Sequence, residues 1–196
     1  MKSKDIRKST IVAINAFNAM PPSFTPIRYT YTGAPEKHDW KYANIKAIWE
    51  NLSYHMRDLI CFAPIQGRHK RVLIDIKYQI LSPEYYSCLE GWHLDGDYGD
   101  LHHLFLYGED GATEFVDQLV CISDTVGRGD LHKYIPEDVF VRKAMMNEFW
   151  NTFTGSDFHR GVKAEREAER VLVRITETNT IKPNNKPFKP AFGARK

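Results

Sequence analysis

The sequence has no apolar run approaching the ~18 residues needed to cross a membrane. Lys2 to Lys8 is not followed by an apolar core and a small-residue cleavage site, so neither a membrane span nor a secretory leader is expected. Cysteine is scarce. Cys61, Cys88 and Cys121 are odd in number and lack CxxC spacing, which argues against a disulfide framework and a zinc knuckle and suits a reducing, cytoplasmic setting. An excess of charge is missing too: with 27 basic against 25 acidic residues, no global field draws the body of the protein to a polyanion. Basic residues gather only at the ends, at Lys2, Lys4, Arg7 and Lys8 and again at Lys182, Lys186, Lys189, Arg195 and Lys196. They read either as solvated tails or as local aids to binding a polyanion. There is no internal repeat.

What is present is a chain of 196 residues with 42% hydrophobic content, enough for one substantial core. We expect a single domain over residues 1–181, its motif-bearing part at about 70–178, and a Pro- and Lys-rich tail over 182–196 that is flexible or wrapped on the surface. The apolar stretch 11–20, interrupted by Asn15 and Asn18 and stopped by Pro21 and Pro22, reads as a short structured segment. Over 39–62, apolar residues at helical spacing (Ile45, Ile48, Trp49, Leu52, Met56, Leu59) predict one amphipathic helix. Over 71–81, Val72, Ile74, Ile76, Tyr78 and Ile80 alternate with Leu73, Asp75, Lys77 and Gln79, the period of a strand with one buried face. Further strands are predicted around 87–94, 101–107, 113–122 and 170–176, with turn material at 108–111, while 136–149 can be read as a helix inserted between strands. The class is α+β, with hairpins close enough for an antiparallel sheet or barrel.

Chemistry concentrates in the segment 91–96, Gly-Trp-His-Leu-Asp-Gly. On an extended strand, His93 and Asp95 point to the same face. One imidazole and one carboxylate suit a divalent metal, and a second imidazole would complete a two-His-one-carboxylate facial triad with positions left open for ligands. His159, in Gly-Ser-Asp-Phe-His-Arg-Gly over 155–161, is the best third ligand. His132 is the alternative, though no strand-borne arginine follows it at suitable distance. His102 and His103 adjoin a strand, so one points inward and one outward. Beyond His159 stand Arg170 and Arg174, an even number apart, so they share a strand face with Leu172 between them. If that face lines a barrel, two guanidinium groups there need anions, and a carboxylate is a natural partner. Thr113 opens a predicted strand. Cys88 and Cys121 read as small core residues, Trp92 as packing that shapes a site wall, and Tyr98 as a residue of the pocket rim.

By His93, Asp95, His159 and the following arginines, the chain resembles the Fe(II)/2-oxoglutarate-dependent oxygenase superfamily, whose pattern is His-x-Asp/Glu, a distal His, and an Arg on the last core strand. The paired arginines look like the taurine dioxygenase branch, and the step from His159 to Arg170 also looks like the phytanoyl-CoA hydroxylase branch. The resemblance covers about residues 70–178. It implies a double-stranded β-helix core, jelly-roll or cupin-like, with N-terminal and inserted helices packed on it. It implies Fe(II) on His93, Asp95 and His159, O2 as oxidant, and 2-oxoglutarate as cosubstrate held by Arg170 or Arg174, with Thr113 assisting. The expected reaction is hydroxylation or oxidative demethylation with release of succinate and CO2. The substrate is open between a small molecule, a nucleotide or nucleic acid, and a protein side chain, as is the oligomeric state. Two other readings stay open: a cupin-type metalloenzyme without 2-oxoglutarate, and a non-catalytic β-helix binding module. The chain is short, so substrate-covering insertions must be reduced or supplied by its N-terminal third.

Overall fold

A computed structural model describes residues 11–15, 24–34, 36–123 and 126–190. Along them run β1 (Ile11–Asn15), β2 (Phe24–Pro26), β3 (His38–Asn44), α1 (Ile45–Ile48), α2 (Tyr54–Cys61), β4 (Arg71–Leu81), β5 (Leu101–Gly108) and β6 (Glu114–Val116). There follow β7 (Leu119–Ser123), β8 (Val141–Lys143), β9 (Phe149–Thr154), β10 (His159–Arg160), β11 (Ala168–Thr178) and β12 (Lys189–Pro190). Short 3-10 helices occupy Trp49–Asn51 and Arg128–Tyr134. The architecture is mixed α+β with antiparallel pairing. A large sheet has the order β12-β3-β4-β11-β5-β9-β2, a small sheet the order β10-β6-β8, and β1 pairs with β7 as a separate ribbon.

The alternation read over Arg71–Leu81 becomes β4 with the same bounds, and it pairs with β11 along the whole of both strands, from Ala168 opposite Leu81 to Thr178 opposite Arg71. Because side chains alternate across a strand, this pair has two unlike faces. One face carries Ile74, Ile76, Tyr78, Val171, Val173 and Ile175 into an apolar cluster with Trp40, Ile48, Met56, Leu59, Phe105 and Trp150. Each such side chain contributes about 1.5–3 kcal/mol by leaving water. The other face, facing the small sheet, carries Asp75, Lys77 and Gln79 opposite Arg174, Leu172 and Arg170. Leu104, Leu106, Phe115, Phe153 and Phe158 fill the rest of the space between the sheets.

The single helix expected over 39–62 is corrected: residues 38–44 form β3, with Trp40 opposite Ile76 and Ala43 opposite Ile74. Pairing with β4 overrides the helical spacing there, and two caps divide the remainder of the segment. The Asn44 side chain accepts from Ala47 N at 3.3 Å, and Ser53 Oγ accepts from Met56 N at 3.1 Å. Each satisfies an orphan donor at a helix start. The helix expected over 136–149 is also corrected. That segment is extended at β8 and then turns through Asn147, a non-glycine residue at φ 68 whose side chain accepts from Gly108 N at 3.0 Å. The Asn151 carboxamide clamps the same turn, accepting from Met145 N and donating to Met145 O, each at 2.8 Å. The strand expected over 87–94 is instead irregular chain with two isolated bridges, Tyr86 to Lys163 and His93 to His159. The strand expected over 113–122 is divided into β6 and β7.

The tail wraps: Asn184 N donates to Tyr42 O and Asn44 N to the Asn185 side chain, each at 2.8 Å, before β12 joins β3. The basic residues Lys2, Lys4, Arg7, Lys8, Arg195 and Lys196, and the second half of the 11–20 stretch, lie outside the described residues. Among the described residues no helix is long and apolar enough to cross a membrane.

Candidate metal centre

His93, Asp95 and His159 come together: one ligand atom from each lies within 4.8 Å of the others. The convergence begins in the backbone. His93 N donates to His159 O at 3.0 Å and His159 N to His93 O at 3.1 Å, a two-bond bridge that sets the imidazoles with ring centroids 4.4 Å apart. Glycines on both sides of His159 permit this approach. A Cβ on Gly161 would stand 2.5 Å from Cys88 N, and one on Gly155 would collide with the carbonyl oxygen of Asp97. A methyl group at either position would push the two ligand-bearing segments apart. The turn into His159 is fixed by Asp157, whose Oδ2 accepts from Thr154 N at 2.6 Å and from the Thr154 hydroxyl at 3.1 Å. Burial pushes the Asp157 carboxyl up to about 7 against the pull of those hydrogen bonds.

The hydrogen bonds decide which ring nitrogens face the cluster. His93 Nδ1 lies 2.9 Å from Gly91 O, and His159 Nδ1 lies 3.0 Å from Asp157 O. A carbonyl oxygen can only accept, so each Nδ1 carries the hydrogen and each Nε2 presents a lone pair. Burial keeps His159 below its ordinary pKa and hence neutral, against the opposing influence of Asp157. Its Nε2 stands 3.2 Å from Asp95 Oδ2. A lone pair and a carboxylate oxygen facing each other repel unless they share a cation, and two imidazoles with one carboxylate suit a divalent metal such as iron.

Both arginines lie on the predicted face, Arg170 buried and Arg174 half-buried, but each is already engaged. Arg174 makes an ion pair with Asp95 itself, donates to Asp75 Oδ2 from Nε at 3.0 Å and from Nη2 at 2.8 Å, and lies 5.6 Å from the Tyr42 ring centroid. Burial disfavours its charge, yet the Asp75 carboxylate and Tyr42 outweigh this and hold its pKa above the ordinary arginine value. Tyr42 is a non-glycine residue at φ 50 beside the bulge in β3, and that conformation turns its N–H to Asp75 Oδ1 at 2.9 Å. Arg170 meets only neutral acceptors: Gln79 Oε1 at 2.7 and 3.3 Å, Ser87 O at 3.3 Å, and Gly111 O. Burial without a close anion pushes it down to about 10.

Asp75, Lys77, Gln79 and Tyr42 escaped the sequence reading. The signal for the first three was there, as the polar half of the β4 alternation. A polar half ordinarily marks a solvent face; here Asp75 is 1% exposed and the face looks inward.

A narrow cavity of about 40 Å³ between the sheets is lined by Lys77, Asp95, Thr113, His159, Leu172 and Arg174. On the other side of the cluster, a cleft of about 330 Å³ is formed by Trp92, His93, Leu94, Gly129, His132 and Phe158. His132 therefore lies near His93 but outside the ligand cluster. A third cleft, about 740 Å³ and flanked by Glu109, Glu167 and Glu169, includes none of the three ligands. We give it no role, because volume alone brings no reactive groups together.

His102 is buried facing inward, 3.0 Å from Thr176 Oγ1 and stacked on Phe153. His103 faces the opposite way, between Thr152 Oγ1 and Glu177 Oε1, each at 2.9 Å. Cys88 is exposed rather than a core residue, displaced by the irregular course of its segment, and the Cys121 side chain lies outside the description. The guanidinium of Arg160 covers Trp92 at 4.3 Å, and Tyr98 is exposed. Comparison of the chain with protein-family models, curated proteins and solved structures finds no match.

Proposed function

We propose that the chain is an Fe(II)- and 2-oxoglutarate-dependent oxygenase built on a double-stranded β-helix. The observation that carries this reading is the convergence of His93, Asp95 and His159, with both imidazole Nδ1 atoms already committed to backbone carbonyls. The winding of the chain supports it. From β4 in the large sheet the chain passes to the His93 bridge, returns to β5, crosses to β6 and β8, and returns again to β9. It crosses once more to β10 and closes on β11 beside β4. That alternation between two antiparallel sheets is how a double-stranded β-helix is wound.

Iron with 2-oxoglutarate and O2 supplies the oxidising power to hydroxylate or oxidatively demethylate a substrate, with release of succinate and CO2. The chain's own groups prepare the place for it. Arg174, braced by Asp75 and Tyr42, holds the Asp95 carboxylate in one orientation, so a cation meets a pre-aimed oxygen. Leu104, Phe153 and Leu172 form an apolar wall that excludes water from the inner cavity. The cleft beside His93, walled by Trp92, Leu94 and Phe158, is where this reading puts the substrate.

Anaerobic titration with Fe(II) and then 2-oxoglutarate tests the proposal. A metal-to-ligand charge-transfer absorption is expected, followed by succinate formation on admission of O2. Both should be lost in His93→Ala, Asp95→Ala and His159→Ala. Wild-type behaviour of His159→Ala would remove the third-ligand assignment. The engagement of Arg170 with neutral acceptors favours one second reading, a cupin-type metalloenzyme that uses no 2-oxo acid. Metal binding without a charge-transfer band or succinate would select it.

A further inference from the structure

We propose that Cys88 is a fourth protein ligand at the metal centre, recruited by a thiophilic divalent ion such as Zn2+ and left free by an oxygen-preferring ion such as Mn2+. The inference rests on the metal centre of the reading above, though not on its use of 2-oxoglutarate, and it gives that centre a way to be shut by the identity of its ion. Three observations carry it.

The first is where the backbone holds the thiol. Cys88 precedes His93 and Asp95 on one irregular segment, and that segment is stitched to the chain just beyond His159. Ser87 N donates to Val162 O at 2.9 Å, Gly161 N to Leu89 O at 3.1 Å, and Val162 N to Ser87 Oγ at 3.2 Å. The missing side chain of Gly161 lets the two backbones meet at Cys88 itself. The second observation is what the thiol meets. A hydrogen bond joins it to the His93 side chain. It lines the inner cavity together with Asp95 and His159, and its charge bears on His159 as well. Lys77 and Arg174, on the same wall, favour an anion there. Cys88 is nevertheless exposed, so it stands at the cavity mouth with room to turn. Its sulfur lies outside the trio of ligand atoms that are within 4.8 Å of one another, so those three can hold an ion alone and the fourth bond forms only when the Cys88 side chain rotates inward.

The third observation is the chemistry of the donor set. Buried His159 turns an unprotonated Nε2 toward Asp95 Oδ2 at 3.2 Å, a pair that calls for a cation. Three protein ligands leave positions open for reactants, whereas two imidazoles, a carboxylate and a thiolate are a closed four-ligand set of the kind that holds zinc. The thiolate and the Asp95 carboxylate together neutralise a divalent ion in a poorly solvated place. In the step itself the Cys88 S–H bond breaks, a sulfur–metal bond forms and the proton leaves to solvent, with no change of oxidation state. Thiolate is soft and binds Zn2+ well, while Mn2+ prefers carboxylate and water and gains little from it. A centre closed in this way has no position for a chelating 2-oxo acid.

The test titrates the full chain anaerobically with Co2+, a spectroscopic stand-in for Zn2+. Wild type should develop a sulfur-to-cobalt charge-transfer absorption and the intense visible bands of a four-coordinate ion, and Cys88→Ala should bind Co2+ with neither. In calorimetry Cys88→Ala should lose more than about a hundredfold in Zn2+ affinity, beyond what loss of a group that merely orients a ligand costs, and keep the wild-type affinity for Mn2+. Co2+ binding by wild type without the sulfur band, or a band that survives in Cys88→Ala, overturns the assignment of Cys88 while the metal centre stands. If wild type binds none of Co2+, Zn2+ and Mn2+, the metal centre falls and the Cys88 proposal with it. A measurement on wild type alone covers misfolding of the variant: Zn2+, but not Mn2+, should protect Cys88 from alkylation by iodoacetamide, with the exposed Cys61 as internal control. Equal alkylation of Cys88 in the presence of either ion would also overturn the proposal.

Discussion

The two faces of the β4–β11 pair share a backbone and a register but obey different rules. The helix-covered face is apolar, and its order comes from area removed from water. The inward face sets Asp75, Lys77, Gln79, Arg170 and Arg174 around a narrow cavity, and its order comes from paired charges and hydrogen bonds. Paired charges in a poorly solvated space stabilise little compared with an apolar replacement, but each is costly to leave alone. The first face therefore supplies stability, and the second fixes the geometry of a site at some expense of stability. Substitutions should separate the two contributions.

The largest loss of stability is expected from Trp150→Ala, which empties a fully buried site in the apolar cluster. Denaturant unfolding should show a loss of about 3–5 kcal/mol, the range for truncating a buried large aromatic. Fe(II) affinity measured below the unfolding transition should be unchanged, and a parallel fall in metal affinity would break the separation of the faces. Asp75→Ala attacks the inward face. It leaves Arg174 without its double contact, with Asp95 as its remaining carboxylate partner, and should cost about 2 kcal/mol, the range for losing hydrogen bonds between charged groups. Unlike the tryptophan variant, it should also weaken Fe(II) binding by about ten- to a hundredfold, the usual effect of losing a group that orients a metal ligand. Unaltered metal affinity in this variant would show that Arg174 holds Asp95 without help from Asp75.

A comparable effect on stability alone comes from pH, through two consecutive histidines that β5 sends to opposite faces. Burial, and then the nearby His159, push His102 down to about 3 from 6.5. Burial also lowers His103, against the hydrogen bond it makes with Glu177. In the unfolded chain both take up protons near the ordinary value, so the unfolded state binds more protons below it. Their contribution to stability is therefore complete above pH 6.5 and declines as the pH falls. For His102 the loss is about 2 kcal/mol at about pH 5. Urea midpoints at neutral pH and at about pH 5 check this: His102→Gln should show a pH dependence smaller by about that amount. An unchanged dependence in the variant would assign the acid sensitivity elsewhere.

How far the chain could be read from its sequence obeys the same division. β4 was legible to the residue, because its apolar half alternates without interruption, and β5 and β11 were legible to within a few residues. The grouping of His93, Asp95 and His159 was legible because chemistry limits which residue types can share a metal. What failed was any segment whose structure is set by a partner distant in sequence. Residues 38–44 form a strand because Trp40 and Ala43 find Ile76 and Ile74. The 136–149 segment is extended because Asn151 and Asn147 bind its turn. The roles of Asp75 and Gln79 became visible only in the register that sets them against Arg174 and Arg170.

The smallest expected effect belongs to the helix-covered face and tests how local its contribution is. Ser53 starts α2 by accepting from Met56 N at 3.1 Å, and its own N–H donates to both Glu36 carboxylate oxygens, at 3.0 and 3.1 Å. Ser53→Ala removes the side-chain cap and the hydroxyl contact with Glu36 but keeps the backbone donor. The capping loss is about 1 kcal/mol. α2 buries Met56, Leu59 and Ile60 and supplies no residue to the ligand cluster, so the variant should unfold at a lower denaturant concentration with unchanged Fe(II) affinity. Ser53→Asp, which restores a capping acceptor but sets a second carboxylate against the buried Glu36, should be less stable than Ser53→Ala. If instead it recovers wild-type stability, the cap alone governs this end of the helix, and the contact between Ser53 and Glu36 contributes nothing to how α2 seats on the apolar face.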